Sequence, residues 1–159
     1  MKKSIYITLA VMSMLFSTLS PAVTLTVDFS LPKFDQQDYR KPYVAMWAET
    51  KGDSKNLLLW HLIKRDNDKW LVDIRRWWRK EGRYSDNQFD GITGATHMAG
   101  QHQVQLDIAD LNDFTLMIEV VRQKGGRSLV RQKINLNDHQ QYSIAPSDEI
   151  GAITIKVNK

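Results

Sequence analysis

Apolar and polar residues alternate with a period of two through most of the chain after residue 22. Successive side chains of a β-strand point to opposite faces, so this alternation predicts strands with one buried face. No stretch sustains the three- and four-residue spacing of an amphipathic helix. The alternating segments are residues 23–29, 43–49, 57–64, 70–78, 104–108, 114–120, 129–136 and 153–157.

Turn signals separate these segments, among them Gly52-Asp53 and Gly125-Gly126. Seven to nine short strands at regular spacing are typical of two packed sheets. We therefore predict an all-β domain, an antiparallel β-sandwich of immunoglobulin-like or transthyretin-like type, although a small barrel has the same sequence signature. The predicted core contains Leu25, Val27, Trp47, Leu59, Trp70, Val72, Ile74, Leu116, Ile118, Ile153 and Ile155.

The first 22 residues have the three parts of a secretory signal peptide. Lys2 and Lys3 precede an apolar run over residues 5–16, and Ser20 and Ala22 end a small-residue stretch suited to cleavage. The run is shorter than the ~20 residues that a spanning helix needs. We predict cleavage after Ala22, a periplasmic location, a single domain over residues 23–159 and no transmembrane segment after cleavage.

Charge and composition exclude several classes of function. Without Lys2 and Lys3, 20 basic residues stand against 18 acidic ones, so the mature chain has no strong basic footprint for nucleic acid. The chain contains no cysteine, which excludes disulfides, thiolate metal sites and cysteine catalysis. No standard hydrolase motif or phosphate loop occurs, so a carrier or accessory protein is favoured over an independent enzyme.

The segment Asp90-Gly91-Ile92-Thr93-Gly94-Ala95-Thr96 carries the most specific chemistry. Its small residues predict a tight turn, with Gly94 free to adopt a positive φ and the Thr96 hydroxyl exposed for esterification. The alternative is a plain loop between strands, because Asp-Gly is itself a turn signal.

This segment resembles the Asp-x-x-Ser/Thr-Gly-Ala-Ser/Thr site of the flavin-linked subunits of the sodium-pumping NADH:quinone reductase and of its Rnf relative. At that site, periplasmic flavin transferases of the ApbE type donate FMN from FAD to a hydroxyl. The resemblance implies covalent FMN on Thr96, with Asp90, Thr93, Gly94 and Ala95 completing the site. It also implies an exported electron-transfer carrier or accessory.

A wider resemblance rests on Pro42-Tyr43-Val44-Ala45-Met46-Trp47, Trp77-Trp78, the motif and residues 119–126. These segments are similar to the periplasmic domain of unknown function 2271. That family implies the company of flavin transferases and of PepSY-type membrane redox proteins. Known flavin-linked subunits with the motif have a different, mixed α/β domain.

Two further groups of residues carry candidate chemistry. Arg75 and Arg79 precede the motif and could neutralise a flavin phosphate, while Trp77 could stack on the ring, although one strand with solvated cations explains them equally. A non-redox binding or adaptor module with an Arg/Trp surface is the alternative function. His97 and His102, with Asp107, match no standard ligand spacing, and no metal site is predicted.

Overall fold

The structure is a computed structural model that describes residues 23–35, 38–62, 65–84, 91–138 and 140–159, with the side chains of residues 65–68 left out. The predicted signal peptide over residues 1–22 lies outside the described residues, and so does Asp90 of the motif. Among the described residues, no helix is both long enough and apolar enough to cross a bilayer.

In the described ranges, nine strands form two sheets that pack face to face, which confirms the mostly β sandwich. The first sheet has the order β5-β1-β9-β8 and the second has the order β4-β3-β2-β6-β7. All pairs are antiparallel except β3 and β4, which are parallel. The strands are β1 (Thr24–Leu31), β2 (Tyr43–Glu49), β3 (Ser54–His61), β4 (Thr93–Ala95), β5 (Gly100–Asp107), β6 (Phe114–Val121), β7 (Arg127–Ile134), β8 (Gln141–Ile144) and β9 (Ile153–Asn158).

The main core lies between the two sheets. Strand β1 alternates strictly between buried and half-buried residues, as a strand with one face in the core must. Leu25, Val27 and Phe29 point inward and meet side chains from β6, such as Leu116 and Ile118. Burial of this apolar surface is the largest stabilising contribution to folding, at roughly 25 cal/mol per Å².

A second, smaller core covers the outer face of the second sheet. Strands β2 and β6 are buried along almost their whole length rather than alternately, because both of their faces are covered. Tyr43, Ala45 and Trp47 of β2 point away from the first sheet and pack under a helical segment. The buried members of this cluster are Tyr43, Ala45, Trp47, Leu59, Leu71, Ile74, Trp77 and Met117.

The helical segment replaces the strand that was predicted over residues 70–78. A 3-10 helix runs over Arg65–Asp73 and is followed by helix α1 (Arg75–Lys80). The buried residues Leu71, Ile74 and Trp77 recur every third position, which places them on one helical face. The prediction of a strand was wrong because Trp70, Val72 and Ile74 also fit a period of two.

Nine of the eleven predicted core residues are buried, and both exceptions lie in this helical segment. The side chain of Val72 is 45% exposed, so its placement in the core was wrong. Trp70 is only partly buried against the second core. Because the backbone here is helical, both side chains lie beside the helical face that packs on the sheet and not on it.

Polar contacts fasten α1 to the sheet. Both carboxylate oxygens of Glu119, a fully buried residue of β6, accept the backbone N–H of Arg76, and Oε2 also accepts that of Trp77 at 2.8 Å. Glu119 thus satisfies donors of the first helical turn that have no partner within the helix. The indole of Trp77 donates to Asn56 Oδ1 at 2.7 Å, and Arg127 Nε donates to Glu119 Oε1 at 2.6 Å.

Glu49 provides a pH-dependent contact to the same helix. Burial raises the pKa of Glu49, but hydrogen bonds from Trp47 and Arg76, together with the charge of Arg76, outweigh it and leave the pKa lowered. A lowered folded-state pKa stabilises the fold above the unfolded-state pKa of about 4.3, and this stabilisation is lost as the pH falls through the folded-state value.

We therefore expect Glu49→Gln to lower the free energy of unfolding at pH 7, and the difference from the wild type to vanish in strong acid. Urea unfolding at a series of pH values measures this. The matched control is Asp28→Asn, which changes a carboxylate that accepts from the neutral side chain of Gln103. A Glu49→Gln effect of equal size at neutral pH and in strong acid contradicts this explanation.

Candidate functional site

The described part of the motif over residues 90–96 forms the edge of the second sheet. Strand β4 pairs in parallel with β3, so that Thr93, Gly94 and Ala95 lie opposite Leu59, Trp60 and His61. Ile92 extends this pairing by accepting the N–H of Leu59 at 2.8 Å. Residues 93–95 are therefore an edge strand, and neither the tight turn nor the plain loop that the sequence suggested. Residues 91–98 are called the edge segment below.

The two glycines of the edge segment have different roles. Gly91 has a φ of 85°, in a region that residues with a side chain seldom adopt. The chain turns there into β4. Gly94 does not have a positive φ, so that expectation was wrong. A Cβ at Gly94 would lie 3.3 Å from Cδ1 of Trp60, which shows that glycine here allows close packing on an indole.

Thr96 is buried rather than exposed, with 4% of its surface accessible. Its Oγ1 donates a short hydrogen bond to the carbonyl oxygen of Pro42, and its N–H donates to the carbonyl oxygen of His61 at 3.0 Å. The expectation of an exposed hydroxyl was therefore wrong for this conformation. The neighbouring motif residues Thr93 and Ala95 are exposed.

Aromatic rings surround the end of the edge segment. The chain crosses here from β4 in one sheet to β5 in the other, which brings His97 and His102 onto Trp60. The ring centroid of Trp60 is 4.3 Å from that of His97 and 5.5 Å from that of His102. Phe29 lies 5.7 Å from His102 on the neighbouring strand β1. Phe29, Trp60, His97 and His102 are called the aromatic cluster below.

The three residues expected from sequence to contact a flavin lie on α1, which covers the outer face of the second sheet. The ring of Trp77 is fully buried, so it offers no exposed stacking face in this structure. Arg75 and Arg79 are exposed. Arg75 lines a cavity in the described part of the chain.

That cavity has a volume of about 530 Å³ and lies between α1 and the turn that joins β6 to β7. Trp70 and Val121 provide apolar surface, and Asp73 is its acidic residue. The basic residues along its wall are Arg75, Arg122, Lys124 and Arg127. The name basic cavity is used for this site.

A buried ion pair supports one wall of the basic cavity. Arg122 and Glu149 have side chains only 4% exposed and form two hydrogen bonds of 3.0 Å. Gly126 donates its N–H to Glu149 at 2.6 Å, and a Cβ at Gly126 would clash with that carboxylate. The Arg122 guanidinium is therefore held by its partner and is not fully available to a ligand.

Tyr39 connects this ion pair to the edge segment. Its ring lies 6.0 Å from the Arg122 guanidinium, and Phe34 covers the same group at 4.0 Å. Burial raises the pKa of Tyr39, and this outweighs the opposing effects of Arg122 and of a contact to the backbone of Ala99. The segment that carries Tyr39 and Pro42 thus packs along the end of the sheet beside the edge segment.

Sequence reasoning missed the aromatic cluster as a site. His97 and His102 are five residues apart, a spacing that matches no short motif, and they meet only because the chain changes sheets between them. Asp107, which was grouped with them from sequence, instead accepts the N–H of Ala109 at the far end of β5. Trp60 gave no signal, since an aromatic residue in a strand usually means packing.

The fold defines this chain as a small protein of two packed, mostly antiparallel β-sheets. It belongs to the family described as predicted periplasmic protein (DUF2271), whose model matches residues 24–152. Neither a curated protein nor a solved structure matches the chain significantly. The family description gives the compartment and no activity.

Proposed function

We propose that this protein carries FMN covalently on Thr96 and works as a periplasmic electron-transfer carrier or accessory with a membrane partner. The observation that carries the proposal is a five-position flavinylation pattern centred on a three-residue edge strand, beside a cluster of aromatic rings. Isoalloxazine supplies the redox chemistry, while the protein retains and orients it. Such a protein transfers electrons without being an independent enzyme.

The attachment is a transfer of FMN from FAD. The Thr96 hydroxyl oxygen attacks the flavin-side phosphorus, the bond between the two phosphates breaks, AMP leaves, and the hydroxyl proton is released. The product is a phosphodiester that links Thr96 to riboflavin. It keeps one negative charge at neutral pH, and no electrons are exchanged in this step.

The buried hydroxyl must be released before this reaction. Among the described residues, three hydrogen bonds outside the strand ladder hold residues 92–96, and they join Ile92 to Leu59, Thr96 to His61 and Thr96 to Pro42. Each contributes about 0.5–1.5 kcal/mol net, so local release costs roughly 2–4 kcal/mol and leaves ~1 molecule in 30 to 1 in 1,000 open. Edge strands open at such local cost while the core stays folded.

We expect hydrogen exchange to detect this opening. The amides of Leu59 and Thr96 depend on the edge segment, whereas the amide of Ile118 lies on a central strand. The first two should exchange at least about tenfold faster than the third under native conditions. Equal protection of all three would mean that the edge opens only by global unfolding, which contradicts local release.

The aromatic cluster offers a surface for the attached ring. His97 follows Thr96 directly and is exposed, and its imidazole lies against Trp60. Once the Thr96 hydroxyl no longer donates to the carbonyl oxygen of Pro42, a flavin attached to Thr96 would reach this surface. Aromatic rings of this kind stack with planar ligands and contribute about 0.5–1.5 kcal/mol per pair.

The proposal implies two partners. An ApbE-type flavin transferase would donate the FMN, and a PepSY-type membrane redox protein would exchange electrons with it. Both partners are inferred from the resemblance of the motif over residues 90–96 and of the wider sequence. The edge of β4 that faces away from β3 would be the first part of the motif that a transferase meets.

Reconstitution tests the proposal. Purified protein lacking residues 1–22 is incubated with a flavin transferase, FAD and Mg²⁺, then denatured and separated on a gel. We expect flavin fluorescence to stay with the denatured chain. If a control acceptor is labelled in the same reaction and this chain is not, the proposal fails.

The basic cavity favours a second candidate, a binding module for a small anionic ligand with an aromatic part. Trp70 provides a ring, while Arg75 and Lys124 provide exposed cations. The test is titration of the unmodified protein with free FMN, with Arg75→Ala and the exposed Arg79→Ala as a matched pair. Weakened binding in Arg75→Ala alone supports the module, and equal binding of both variants excludes it.

A further inference from the structure

His97 and His102 converge at the surface although five residues separate them. Their ring centroids are 5.4 Å apart, and the planes are inclined by 49°. This separation lets one nitrogen of each ring reach the same ion at the ~2.0–2.1 Å distance typical of imidazole ligands. His97 is exposed and His102 is half-buried, so an ion from solvent can reach the pair.

The ring of His102 is held in a defined tautomer. Its Nε2 is 2.9 Å from the carbonyl oxygen of Met98. A carbonyl can only accept, so Nε2 carries the proton and the neutral ring presents the lone pair of Nδ1. Histidines that bind metals usually donate their other N–H to a backbone carbonyl or a carboxylate, which fixes the tautomer and the ring orientation.

Met98 brings a third donor into the same segment. Its side chain is 55% exposed, so it is accessible from solvent, and its backbone carbonyl accepts a hydrogen bond from His102. Two neutral imidazoles and a thioether make a soft, uncharged set of donors. Thioether sulfur selects Cu(I), whereas hard divalent ions prefer carboxylates, carbonyls and water.

We propose that His97, Met98 and His102 form a binding site for Cu(I). In the described part of the chain, no group of three or more His, Cys, Asp and Glu residues could hold a metal. The site therefore depends on the thioether of Met98 as a third ligand beside the two imidazoles. Trp60 covers the pair at ring distances of 4.3 and 5.5 Å and shields one side from water.

Copper competition tests the site without any flavin. Purified, unmodified protein is titrated into the coloured Cu(I) complex of bicinchoninate under ascorbate. The wild type should remove one Cu(I) per chain. His97→Ala, His102→Ala and Met98→Leu should each weaken binding by about tenfold or more, since loss of even an outer-shell partner of a metal ligand costs about 10–100-fold in affinity.

His139→Ala is the matched control, since it removes a histidine elsewhere in the sequence and should bind like the wild type. Circular dichroism checks that each variant is folded. A spectroscopic signature comes from Trp60, whose fluorescence should change with one equivalent of Cu(I). Trp60→Phe should lose that change and still bind copper.

Three results would overturn the proposal. In the first, the wild type leaves the bicinchoninate complex intact at equal concentration. In the second, folded His97→Ala and His102→Ala compete as well as the wild type does. In the third, Zn(II) binds as tightly as Cu(I) and Met98→Leu binds Cu(I) as well as the wild type does, which would exclude the thioether as a ligand. Labelling of Thr96 by a transferase is a separate reaction, so either proposal can fail alone.

Discussion

Replacing Thr96 with alanine is expected to abolish the addition of FMN, because no other atom at that position can form the phosphoester. Thr96→Ser should be labelled, since serine supplies the same hydroxyl. Thr96→Ala also leaves the carbonyl oxygen of Pro42 without its donor, which costs about 1–3 kcal/mol in a buried site. Labelling is measured by in-gel fluorescence and the free energy of unfolding by urea.

Thr93→Ser is the matched control, because it changes an exposed threonine of the same motif and keeps a hydroxyl there. Thr96→Val keeps the shape of the side chain without the hydroxyl and should behave like Thr96→Ala. An adduct on either hydroxyl-free variant, mapped by peptide mass to another residue, would show that Thr96 is not the attachment point.

Trp77→Ala should lower the free energy of unfolding by about 3–5 kcal/mol, the range for deletion of a fully buried aromatic side chain. Trp77 fills the space between α1 and the second sheet and donates its indole N–H to Asn56. A Cβ at Gly82 would lie 2.6 Å from its ring, which shows how closely this site is packed.

Urea unfolding followed by circular dichroism measures the effect of Trp77→Ala. Trp77→Phe should cost less, because it keeps a ring and loses the hydrogen bond. Arg79→Ala on the exposed side of the same helix should change stability by less than about 0.5 kcal/mol. A loss for Trp77→Ala as small as that of Arg79→Ala would mean that α1 does not depend on this contact.

The strands could be predicted from the sequence where apolar residues fill at least every second position. Residues 43–49 were predicted within the observed bounds, and the segments that begin at Phe114 and Ile153 start where predicted. The parallel pairing of β4 could not be predicted, because three small residues carry no periodicity and their pairing depends on the distant strand β3.

The segment over residues 65–80 shows why secondary structure could not be predicted there from the local pattern of apolar residues. Trp70, Val72 and Ile74 suggest a strand, while Leu71, Ile74 and Trp77 suggest a helix, and Ile74 belongs to both patterns. The deciding contacts come from Glu119 on β6, which caps α1 from 42 or more residues away in sequence. Tertiary contacts of this kind override local propensity.

The sequence identified the motif but not the state of its hydroxyl. Small residues around Thr96 suggested exposure, yet Pro42, 54 residues earlier, accepts its hydrogen bond. Gly94 was expected to need a positive φ, and the structure instead shows it packed closely beside Trp60, where a Cβ would be in tight contact. Both errors have one cause, since neither Pro42 nor Trp60 is near the motif in sequence.

Intact-mass spectrometry of the protein recovered from the periplasm of cells that also produce a flavin transferase tests the central claim most directly. We expect a chain beginning at Val23 whose mass is raised by one FMN less one water, with the fragment that carries Thr96 bearing the addition. An unmodified chain, recovered beside a control acceptor that is fully labelled, would contradict the claim.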